Sequence, residues 1–126
     1  MLEIIFNDGN SYEALNDTTV YPSGSSMVRS YMEIHLPEDA MTIEAFESIL
    51  TNEDKVKRIT LKKTNDDGDV LFEDVYSNFL YNAEVGKKTY ERIDTATGET
   101  VTEKHLVARQ EQYTFIEQKL HDLGIL

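Results

Sequence analysis

The chain has 126 residues and no cysteine, and its 24 acidic residues against 12 basic ones give a formal net charge of -12 at neutral pH. This charge repels nucleic-acid phosphates and anionic lipid headgroups over a Debye length, so we expect neither nucleic acid nor a membrane as a partner. Without cysteine the chain has no disulfide, no thiolate nucleophile and no thiolate metal site. The length and the 40% apolar content suit a single domain over residues 1–126.

No apolar stretch approaches the ~18 residues of a membrane-spanning helix. The first residues carry no basic segment and too short an apolar run for a signal peptide. We therefore expect a protein that is made in the cytoplasm and does not contact a membrane.

The chain opens with a predicted β-hairpin. Alternating apolar residues predict a strand over residues 2–6, and residues 7–10 tolerate the positive φ angles of a tight turn. Residues 11–21 would form the returning strand, with a break near Asn16 and Asp17. Residues 22–26 contain proline, glycine and three serines, which predicts a surface loop.

The clearest alternation in the chain covers residues 28–36 and predicts a half-buried antiparallel strand. One face carries Val28, Ser30, Met32, Ile34 and Leu36, and the other carries Arg29, Tyr31, Glu33 and His35. After Pro37, Thr42 can cap a helix that ends near Asn52. Its apolar residues recur at helical spacing: Ile43, Phe46, Ile49 and Leu50.

Two further hairpins are predicted. Residues 65–69 contain Asp-Gly between two β-rich segments, 58–63 and 70–75, which is the signature of a tight hairpin. A strand over residues 79–85 follows, and we expect Gly86 to bend or end it. Residues 89–107 then predict a second hairpin, with its turn at residues 96–98.

The end of the chain predicts a short amphipathic helix. Thr114 and Glu117 have the spacing of a capping box, and Gly124 can stop the helix. A helix of about nine residues is not stable alone, so its apolar face must be buried against the domain's own sheet or against a neighbouring subunit. The candidate interface residues are Tyr113, Phe115, Ile116, Leu120 and Leu123.

Together these elements predict an α+β fold that is mainly antiparallel β, with one interposed helix and a short C-terminal helix. Strands joined by short turns, without alternating strands and helices, are typical of a small sandwich or a partly open barrel.

We find no pattern that catalysis or cofactor binding would require. The acidic turn at residues 65–69 does not fit a calcium loop, which would place Lys63 where a carboxylate is needed. The three histidines, at positions 35, 105 and 121, lack the spacing of a zinc helix and are interpreted as solvated surface residues. We therefore expect no catalytic residue, no cofactor and no metal ion, and folding that does not depend on an ion.

Three segments of the chain resemble small proteins encoded among the tail and baseplate genes of tailed phages and prophages of Gram-positive bacteria. They are residues 2–9, residues 59–61 and residues 106–120. The resemblance implies a virion or assembly component that carries no catalytic residues. Its partners would be proteins, either further copies of the chain or other virion proteins.

The leading functional hypothesis is a non-enzymatic structural or assembly protein that acts through protein-protein contacts, in the cytoplasm during synthesis and then in a virion. The alternative is a stand-alone module that binds a small ligand or a carbohydrate, and an enzyme ranks third. Flanking tail or baseplate genes would favour the first hypothesis, and flanking metabolic genes would favour the other two.

Overall fold

The computed structural model describes all residues from 1 to 126 and contains two four-stranded antiparallel sheets. The strands of sheet 1, in spatial order, are β2 (Ser11–Ala14), β1 (Leu2–Ile5), β5 (Arg58–Thr64) and β6 (Val70–Ser77). The strands of sheet 2, in spatial order, are β3 (Thr19–Tyr21), β4 (Tyr31–Pro37), β8 (Thr100–Glu111) and β7 (Tyr81–Ile93). The helices are α1 (Ile43–Leu50), α2 (Glu53–Val56) and α3 (Phe115–Asp122).

This architecture confirms the predicted α+β class with mainly antiparallel strands. The two sheets stay separate, so of the two predicted arrangements the sandwich is observed. The short helix α2 was not predicted; it follows α1 directly, and the Asn52 side chain caps it by accepting from the Asp54 N–H at 3.1 Å.

One hydrophobic core joins the two sheets and α1. Sheet 1 contributes Ile4 and Ile59, sheet 2 contributes Ile34 and Leu106, and α1 contributes Phe46, all of them completely buried. The inward positions of β4 follow the predicted alternation, because every second residue of a strand faces the same side. The predicted helix is α1, and Thr42 caps it by accepting from the Ala45 N–H at 3.1 Å.

The hairpin between β5 and β6 confirms the turn interpretation of the acidic segment. The Asn65 side-chain oxygen accepts from the Asp67 and Asp69 N–H groups at 3.0 and 2.9 Å. Gly68 has a φ of 85°, a conformation that residues with a Cβ rarely adopt. These contacts account for the asparagine and the glycine of the turn.

Three predictions about the strands were wrong, two on their extent and one on the sheet that a strand joins. β7 does not end at Gly86, which pairs with Val107 inside a long ladder; the irregularity lies instead between Asn82 and Glu84. The predicted returning strand divides at its expected break, but its second part, β3, belongs to the other sheet. Val28 is exposed because β4 begins only at Tyr31.

Candidate functional site at the C-terminal helix

The helix α3 begins at the predicted capping box. The Glu117 N–H donates to the Thr114 hydroxyl at 3.3 Å, and the Thr114 N–H donates to the Glu117 carboxylate at 3.2 Å. At the other end, Gly124 has a φ of 75°, as expected for a glycine that stops a helix. The chain then turns back, so that the N–H of Ile125 donates to the Leu120 carbonyl at 2.9 Å.

Arg29 fixes the N-terminal end of α3 to the rest of the protein. Its Nε donates to Glu117 at 2.9 Å, its Nη2 donates to the second oxygen of the same carboxylate, and its Nη1 donates to Glu111 at 3.1 Å. The guanidinium also lies over the Tyr81 ring, 4.4 Å from the centroid, and 5.6 Å from the centroid of Tyr113. Such a two-pronged, partly buried contact holds a helix in one orientation better than an exposed ion pair does.

A second polar contact fixes the other end of α3. The His121 Nε2 lies 2.7 Å from a carboxylate oxygen of Glu53 in α2, and its ring lies 5.5 Å from the ring of Tyr113. The helix is therefore held through its polar side chains.

Most of the apolar side chains at α3 consequently face outward. Phe115 is 70% exposed, Ile116 is 58% exposed and Leu123 is 72% exposed, whereas Tyr113 and Leu120 are half-buried. No residue of the helix is buried. Of the two places predicted for this face, the domain's own sheet does not cover it.

We name Phe115, Ile116, Leu120, Leu123 and Ile125 the α3 apolar surface. Ile125 is also exposed and continues the surface beyond the end of the helix. Charged side chains of both signs border this surface: Arg29 pairs with Glu117 and Glu111, and Lys119 and Asp122 are exposed on the helix itself. The α3 apolar surface thus has cations beside it in a chain of net charge -12.

The two contacts that hold α3 depend on pH in opposite directions. The hydrogen bonds from Arg29 lower the pKa of Glu117 from 4.5 to about 2, and the Glu53 carboxylate raises the pKa of His121 above 6.5. Because the pKa of Glu117 is lowered, its contact with Arg29 stabilises the docked helix fully above pH 4.5. This stabilisation is lost as the pH falls toward 2. Because the pKa of His121 is raised, its contact with Glu53 stabilises the docked helix fully below pH 6.5. This stabilisation is lost as the pH rises through the raised pKa.

We therefore expect α3 to be held most firmly between about pH 4.5 and pH 6.5. Amide hydrogen exchange in α3, corrected for the intrinsic pH dependence, should show most protection in this window and less at about pH 3 and at an alkaline pH above the raised pKa of His121. A His121→Gln variant serves as the control and should lose the decrease on the alkaline side. Equal protection at all three pH values would contradict this account of the docking.

The structure also brings together two histidines that the sequence analysis kept apart. His35 and His105 are only 2% and 1% exposed, so their interpretation as solvated surface residues was wrong. Their Nδ1 atoms lie 2.9 Å apart on the outward face of sheet 2, and the Tyr90 ring covers them at 5.5 and 4.5 Å between ring centroids. The register between β4 and β8 places Pro37 opposite His105 and His35 opposite Val107, which makes the histidines diagonal neighbours.

Alternation in each strand could have placed both histidines on the outward face, but not beside each other. That contact depends on a register between strands 70 residues apart in the chain. Asp17 completes this group, with one ligand atom of each of the three residues within 4.8 Å of the others. His121 lies elsewhere, in α3.

Comparison with protein-family models, with curated proteins and with solved structures finds no match for this chain. None of its three helices combines the length and the apolar character needed to cross a bilayer.

Proposed function

We propose that the protein is a non-enzymatic structural or assembly component that acts through protein-protein contacts, with the α3 apolar surface as the contact. The observation that carries this proposal is the outward orientation of Phe115, Ile116 and Leu123 on a helix fixed to the domain by its polar side. Burying such side chains stabilises an association by about 1.5–3 kcal/mol for each one fully covered. A surface held in place before binding also loses little conformational entropy on association.

The occupant that we propose is a second copy of the chain. Two copies related by a two-fold axis would place apolar side chains on apolar side chains, because the same surface serves both partners. Lys119 and Asp122 are both exposed on α3, so a cation of one copy can face a carboxylate of the other. Repulsion between the remaining acidic residues of the two copies opposes association. Salt at physiological concentration limits the range of this repulsion to about 8 Å.

The resemblance to small tail and baseplate proteins of phages and prophages supports the same kind of role. Such components work by assembling with copies of themselves or with other virion proteins. We propose a place in such an assembly for this chain, with the α3 apolar surface at the junction.

Sedimentation velocity of charge-substituted variants tests the proposal. A double variant, Ile116→Lys with Leu123→Lys, should lose self-association while its circular dichroism spectrum stays unchanged. Ile93→Lys is the matched control, because Ile93 is 69% exposed and lies in β7 away from α3. We expect this control to associate like the unmodified chain, more strongly as salt is raised.

Two results would overturn the proposal. One is a double variant that associates as the unmodified chain does. The other is a control that loses association to the same extent, since this would place the contact elsewhere.

A further inference from the structure

The buried histidine pair on sheet 2 is organised around its two Nδ1 atoms. They face each other at 2.9 Å, so in the absence of another group one of them must carry a proton that it donates to the other. The two side chains come from the central strands β4 and β8, whose backbones fix the rings within one ladder. Both residues are more than nine-tenths buried, and the Tyr90 ring lies against both of them.

The other nitrogen of each ring faces a carboxylate. The His35 Nε2 lies 2.6 Å from Glu33, and the His105 Nε2 lies 3.1 Å from Glu103. In protein metal sites, a ligating histidine commonly donates its second N–H to a carboxylate, which fixes the tautomer and makes the ligating nitrogen more basic. Here this arrangement occurs twice, and both times it leaves Nδ1 as the nitrogen available to a metal ion.

A carboxylate oxygen of Asp17 lies within 4.8 Å of a ring nitrogen of each histidine. The connection between β2 and β3 is held against β4 at this point, because the His35 N–H donates to the Thr18 hydroxyl at 3.0 Å and the Leu15 N–H donates to the His35 carbonyl at 2.8 Å. Asp17 itself is exposed, which gives an ion a path from solvent. Two imidazoles and one carboxylate are a usual ligand set for zinc and its neighbours among the transition metals.

The charges around the site also suit a divalent cation. Three carboxylates, those of Asp17, Glu33 and Glu103, surround the pair. The guanidinium of Arg92 lies 2.9 Å from Glu103 and 3.6 Å from Asp17. Lys88, opposite His105 in β7, pairs with Glu84 at 2.9 Å, so these two add no net charge. The three carboxylates against Arg92 then leave a deficit that an ion of charge +2 would cancel.

We propose that His35, His105 and Asp17 bind one divalent transition-metal ion of the zinc class through two Nδ1 atoms and a carboxylate oxygen. The ion replaces the proton shared between the rings, and that proton is released to solvent. Two nitrogens on a tetrahedral zinc ion are separated by about 3.3 Å for Zn–N bonds of about 2.0–2.1 Å, so the rings move apart by a few tenths of an ångström. The site is new relative to the sequence analysis, which predicted no metal.

Calorimetric titration of the metal-free full chain with Zn²⁺ tests this proposal. We expect one ion per chain, proton release on binding, weaker binding as the pH falls, and a higher melting temperature with the ion. Co²⁺ should give the visible absorption of a site with nitrogen ligands. His105→Gln should abolish binding, and His121→Gln, which removes a histidine outside the site, should leave it unchanged.

Two further variants keep the test decisive if His105→Gln does not fold. Asp17→Asn changes an exposed residue and should weaken binding strongly. Glu103→Gln should weaken it by about 10- to 100-fold, as is typical when a carboxylate behind a ligating histidine is lost. Absence of stoichiometric Zn²⁺ binding by the unmodified chain would overturn the proposal. It would also be overturned if both Asp17→Asn and Glu103→Gln bound Zn²⁺ as tightly as the unmodified chain does.

Discussion

Replacing Phe46 with alanine should lower the free energy of unfolding by about 3–5 kcal/mol. Phe46 is completely buried on α1 and lies in the core that joins both sheets. Its truncation removes the transfer free energy of a benzyl group and leaves a cavity that the close-packed core around it closes only in part. Urea denaturation followed by circular dichroism measures the effect.

Phe115→Ala is the matched control for this prediction, because the same side chain is 70% exposed on α3. We expect Phe115→Ala to change the free energy of unfolding by less than about 0.5 kcal/mol, as is usual for surface substitutions. The same variant should weaken self-association, which separates a contact role from a folding role. Comparable loss of stability in the two variants would show that the outward orientation of Phe115 is wrong.

Replacing Gln110 with leucine should lower the free energy of unfolding by about 2–5 kcal/mol, although leucine is the more apolar residue. Gln110 is completely buried, and its Nε2 donates at 2.9 Å to the carbonyls of both Leu50 and Phe79. These two hydrogen bonds tie the end of α1 and the segment before β7 to β8. Leucine would leave both carbonyls without a donor, and each buried unsatisfied group costs about 1–3 kcal/mol.

Gln112→Leu is the control in this case. Gln112 lies two residues further along the chain and donates to the Ser77 carbonyl at 2.8 Å, but at an exposed site where water can replace it. Its substitution should change the free energy of unfolding by less than about 0.5 kcal/mol. If Gln110→Leu were as stable as the unmodified chain, the role of the amide in joining α1 to sheet 2 would be wrong.

Features set by neighbouring residues could be predicted from the sequence. The capping box at Thr114, the cap at Thr42 and the turn at Gly68 each depend on a few residues close in the chain, and each is confirmed. Alternation also identified the inward face of β4 from Met32 onward. These signals are local, so no knowledge of the partner strand is needed to interpret them.

Features set by pairing between distant segments could not be predicted. The contact of His35 with His105 requires the register of β4 against β8, and the position of β3 requires knowledge of which sheet it joins. The orientation of α3 is a further case, because its amphipathic pattern alone favours burial of the apolar side. Arg29, 88 residues from Glu117, is what turns the polar side inward.

The molar mass of the full-length chain in solution tests the assembly account most directly. Light scattering over a series of concentrations, near neutral pH and at physiological salt, should approach about 29 kDa, twice the 14.5 kDa of one chain. The fraction of the larger species should rise when salt screens the net charge of -12. A mass of 14.5 kDa at every concentration and salt level would contradict the account.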